Sequence, residues 1–151
     1  MKMKEALMMQ GAKTIMDNCV SLKAGETVLI VTDMVQEGIA KVLAAAAVER
    51  GAEVVVSTMK PRKKAGEEPT KLIAESMKHA DVILTPVSYS ITHTYAVKEA
   101  AQAGARILVL TDFTEDMLIS GGIEADFKAI KPVCKKIADA FANGSKVHVT
   151  T

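Results

Sequence analysis

Four short runs of β-branched and aliphatic residues punctuate this chain: Thr27-Val-Leu-Ile-Val31, Val54-Val-Val-Ser-Thr58, Asp81-Val-Ile-Leu84 and Arg106-Ile-Leu-Val-Leu110. Each is unbroken rather than alternating, which is the pattern of a strand covered on both faces. Between them stand segments with helical spacing. Leu7, Met8, Ile15, Met16, Cys19 and Val20 mark one amphipathic helix over 4–22, and an Ala-rich segment over 34–50 a second. Further helices are expected from Pro69 or Thr70 to His79, over 93–103, over 114–120 and over 126–142, with Pro132 inside the last as a kink or a later start. Gly51 and Gly104 stand where two of these helices should stop. Strand–helix alternation brings crossover connections and a mainly parallel sheet. The expected fold is therefore α/β: a Rossmann-like three-layer sandwich with helices on both faces. Its sheet has about five strands, an alternating edge strand at 146–150 being the fifth.

With 151 residues the chain suits one domain over 1–151 and buries about 70% of its unfolded surface. Nineteen basic against eighteen acidic residues leave a net charge of +1, which offers no electrostatic footprint for nucleic acid. Aromatics are 3% with no Trp, so base-stacking platforms are missing too. No run approaches 18 apolar residues, and the start, MKMKEALMMQGAK, has no apolar core of a leader peptide. A cytoplasmic chain with two buried thiols, Cys19 and Cys134, is the expectation.

Ligands of open parallel sheets bind outside the carboxyl ends of the strands. Those ends read Thr32-Asp33, Ser57-Thr58-Met59-Lys60, Thr85-Pro86 and Thr111-Asp112. The third runs on as TPVSYSITHT, the richest of the four. It places Ser88, Ser90, Thr92 and His93 ahead of a helix whose first-turn amides would be free for an anion. An imidazole is the side chain suited to moving protons near neutral pH, so His93 is the acid/base candidate, or else a hydrogen-bonded residue of a helix's first turn. Asp33 and Asp112 are open to two uses, rim carboxylates or helix caps. Asp112 with Glu115 has the spacing of a capping box. Arg62, in the basic loop Lys60-Pro-Arg-Lys-Lys64, has the geometry to hold a carboxylate. No dinucleotide fingerprint, phosphate loop or nucleophile elbow occurs, and the residues that can be placed together do not make a metal triad.

The segments MKPRKKAGEEP, ADVILTPVSYSITHT, KEAAQAGARI, TDFTEDML and SGGIEADF, in this order, resemble the N-terminal domain of the aminopeptidase T or leucyl aminopeptidase-type metallo-aminopeptidases, whose relatives include the 2,5-dihydroxypyridine dioxygenases. The resemblance implies release of N-terminal amino acids from peptides. It also implies a divalent metal (Zn, Co, Mn or Fe) held in a C-terminal domain, where the family continues past the point at which this sequence ends in VHVTT. The metal-binding domain is thus expected to be absent from the chain, which carries no cofactor of its own. In the dioxygenase branch a histidine near substrate matches His93, while Thr92 replaces an apolar residue. The expected roles are acid/base for His93 and substrate binding for Ser88, Ser90, Thr92 and Arg62, with a peptide or small molecule as partner and a homo-oligomer as assembly. The other readings are a non-catalytic ligand-binding or oligomerisation module and a fragment of a dioxygenase-like Fe(II) enzyme.

Overall fold

The computed structural model describes residues 3–150; the reading of the chain's start falls partly on residues 1 and 2, outside them, as does residue 151. The elements are α1 (Met3–Thr14), continued by a π-helical turn (Ile15–Cys19), then β1 (Thr27–Asp33), α2 (Glu37–Glu49), β2 (Glu53–Met59), α3 (Lys71–Met77), β3 (Val82–Thr85), α4 (Tyr95–Gln102), β4 (Arg106–Val109), α5 (Glu115–Ile119), a 3-10 turn (Gly122–Glu124) and α6 (Phe127–Asn143). All strand pairs are parallel, in the order β2-β1-β3-β4.

Alternation along the central strands divides the core. Val28 and Ile30 of β1 pack with α1, the π-helical turn, α2 and Leu118 of α5. Leu29 and Val31 pack with Ile73 and Met77 of α3 and Ala96 and Ala100 of α4. Each large side chain buried in these layers contributes about 1.5–3 kcal/mol relative to exposure. The three-layer α/β sandwich is as the sequence predicts.

Several boundaries differ. Four strands form among the described residues, not five: 146–150 is irregular. That segment follows α6 and pairs with none of the four strands among the described residues. Pro132 sits inside α6 without ending it. The same continuous apolar pattern gives a fully covered β3 but a half-exposed β2, which is at the sheet edge. Both cysteines are exposed rather than buried.

Threonines start three of the helices. Thr70, Thr94 and Thr114 each accept an amide of the first turn, from Ile73, Val97 and Met117. The expected capping box of Asp112 with Glu115 therefore does not form. Asp112 lies two residues too early, in the turn after β4, with φ +53°. Gly104 follows the end of α4 at φ +105°, where an L side chain would be strained.

Candidate functional site

Because the strands are parallel, their carboxyl ends share one rim, and the strand order reverses between β1 and β3. There the expected crevice is stitched shut. The Thr32 hydroxyl donates to the Pro86 carbonyl (2.9 Å). Asp33, only 1% exposed, accepts the Ser88 amide on Oδ2 (2.7 Å) and the Ser88 hydroxyl on Oδ1 (3.1 Å). Its Oδ1 also takes the amides of Val35 (3.0 Å) and Gln36 (3.2 Å). Asp33 caps no helix, since Gln36 precedes α2. It satisfies part-buried donors of two turns and joins two strand ends.

Beyond Ser88 the loop opens outward. Ser90 and Thr92 share a hydroxyl–hydroxyl hydrogen bond (2.7 Å), and the Thr92 amide donates to Ser90 Oγ (3.2 Å). The buried Thr94 donates to the Ile91 carbonyl (2.7 Å), which fixes the turn carrying His93. His93 is exposed, with no hydrogen-bond partner among the described residues. With Thr92 and Lys98 it lines a shallow hollow of about 430 Å³ along α4. An imidazole free at both nitrogens can exchange a proton with a ligand there.

The first-turn amides of α4 are already occupied. Glu68 accepts the Tyr95 amide on Oε1 (2.6 Å) and the Ala96 amide on Oε2 (3.2 Å). A carboxylate from the β2–α3 loop thus takes the place the sequence left open for an anion. The Gly66 amide donates to the Ser90 carbonyl (2.8 Å), so the two rim loops are tied to each other. Arg62 belongs to this clasp. Its guanidinium reaches the carbonyls of Lys60 (3.1 Å) and Glu68 (3.4 Å) and lies 3.7 Å from Glu67, while its buried Nε lacks a partner. The hydroxyls of Thr85 and Thr111, at the ends of β3 and β4, are likewise buried without partners.

The candidate residues therefore fall into three groups. Asp33, buried, and Ser88, half-buried, form a hydrogen-bonded knot. Ser90, Thr92 and His93 are the outward surface, with Arg62 beside it through Glu68. Asp112 is exposed on the β4–α5 turn and bonds to none of them. Glu68 escaped sequence reasoning because its partners lie 27 and 28 positions away. Its only local signal is an acidic pair before Pro69.

A divalent metal needs several His, Cys or carboxylate donors converging. No group of three lies together among the described residues, and both oxygens of Asp33 are committed to amides and a hydroxyl. The residues at this rim do not fit a metal centre.

Fold and rim together define a doubly wound α/β domain with a polar loop edge. No family model matches the chain, and no curated protein does. Among the solved structures that share its fold are three of different description. A 2,5-dihydroxypyridine dioxygenase from Pseudomonas putida KT2440 superposes with a TM-score of 0.60 at 11% identity, covering 74% of this chain and 35% of its own. Wild-type AmpT from Thermus thermophilus, an aminopeptidase, gives 0.53 at 13%, covering 91% and 49%. A fatty acid ABC transporter substrate-binding protein from Thermomonospora curvata gives 0.51 at 16%, covering 93% and 40%. The chain spans less than half the length of each. At these identities the likeness is one of fold. No helix among the described residues is long and apolar enough to cross a membrane.

Proposed function

We propose that the chain is the N-terminal domain of a metal-dependent leucyl aminopeptidase-like protein acting on peptides, and that it supplies the substrate side of the site. The observation that carries this reading is the exposed, unpartnered imidazole of His93 at the carboxyl rim, held in place by the buried Thr94 turn. Ser90 and Thr92 lie beside it as hydroxyl donors or acceptors for a peptide amide, and Arg62 joins them through its contact with the Glu68 carbonyl. Ser88 serves the knot with Asp33 and acts by positioning the loop. The metal that activates water in such enzymes would be held by residues other than these. The cytoplasm and a small peptide ligand complete the reading.

The test is a titration of the isotope-labelled chain with leucinamide and with a leucyl dipeptide, followed by amide shifts. Saturable shifts are expected at 90–95. His93→Ala should weaken binding about fivefold, the loss of one hydrogen bond of about 1 kcal/mol, with no change in melting temperature. Shifts confined to other surfaces, or none at all, would remove the rim from consideration as a substrate surface.

A further inference from the structure

None of the 17 residues of helix α6 is buried, and all of them but the half-buried Phe127 are exposed. Yet it is amphipathic. Phe127, Ile130, Cys134, Ile137 and Phe141 recur at alternating spacings of three and four, the seam of a helix that packs against another surface. Four lysines against one aspartate give the helix a net charge of +3 (4 − 1). Just before it lies the complementary surface. A groove of about 310 Å³ runs between the π-helical turn, the end of β4 and α5, with Cys19, Leu110, Phe113, Met117 and Phe127 in its lining. Residues 107–126 around it carry five acidic side chains and no basic one. Lys4 alone answers two of these, Glu115 and Asp116 (2.8 and 3.3 Å).

We propose that the chain forms a two-fold dimer in which α6 of each copy lies in the partner's groove. A second copy is the occupant that matches on both counts: an apolar seam meets an apolar trough, and a basic helix meets an acidic rim. Because Phe127 belongs to both surfaces, the two contacts are continuous and reciprocal, as a closed isologous dimer requires. The chain's two cysteines fall one on each half of the contact, Cys19 in the groove and Cys134 on the seam.

Sedimentation of the 151-residue chain should show a dimer at micromolar concentration. Ile137→Glu on the helix (53% exposed) and Met117→Glu at the groove (48% exposed) should each give a monomer, with unchanged helical signal and melting behaviour of the core. A short bis-maleimide applied to a mixture of light and heavy chains should link Cys19 of one copy to Cys134 of the other. A monomeric wild type overturns the proposal. So does a dimer that survives Met117→Glu, or one that cross-links only Cys134 to Cys134, since both results mean helix pairing without the groove.

Discussion

Gly11→Ala should lower the stability of the chain by about 3 kcal/mol, a fall in melting temperature of roughly 10 °C. Alanine is the better helix former, so propensity alone argues for a gain of about 1 kcal/mol. Packing reverses the sign. Gly11 lies in α1 where α5 crosses it, and a Cβ there would overlap the carbonyl oxygen of Leu118 and come within 2.9 Å of its carbonyl carbon. The obstacle is backbone, so no rotamer change relieves it. α5 would have to move, and Leu118, fully buried in the α1–α2 layer, would move with it. Thermal or chemical denaturation of the two proteins checks this. An unchanged or raised stability would mean that α1 and α5 do not approach as described.

Asp33→Ala carries the second large effect, also about 3 kcal/mol. Removing the carboxylate, itself buried, leaves the part-buried amides of Val35 and Ser88 and the Ser88 hydroxyl without their acceptor, while the Gln36 amide keeps only the Asp33 carbonyl. Asp33→Asn should not rescue it. An amide oxygen can serve the side that takes Val35 and Gln36, but its NH2 then faces the Ser88 N–H, donor against donor. Ser88→Ala removes a single hydroxyl contact and should cost about 1 kcal/mol. Comparing the three by denaturant titration separates a structural knot from a solvent-facing carboxylate, for which all three changes would fall within about 0.5 kcal/mol of wild type.

These two residues show how far the sequence reaches. The layer order was legible because unbroken apolar runs and helical spacing are local signals, and β1 and β3 are buried as their composition requires. β2 has the same composition and sits at the edge, since β-branched residues report a preference for strand, not the number of neighbours. The expected strand at 146–150 failed for the matching reason: alternation needs a partner strand, and the segment pairs with none among the described residues. At the site, the rim was legible from topology. Asp33 could be placed there, but its role depends on Ser88, 55 positions on, and no spacing links the two. The amides ahead of α4 were identified correctly as an anion-binding place, yet the anion proved to be the chain's own Glu68. Thr114 displaced Asp112 as a cap because backbone conformation at the turn, φ +53° at Asp112, sets where the helix can begin.

The division of labour proposed for the rim, substrate contacts here and metal elsewhere, is tested most directly by calorimetric titration of the purified chain with Zn2+ and Mn2+ at neutral pH. With Asp33 committed to four donors and no cluster of three ligand-type side chains among the described residues, the expected result is no stoichiometric heat of binding. A tight one-to-one complex that is lost in His93→Ala or Asp33→Asn would contradict it, and would put the reactive ion on this domain.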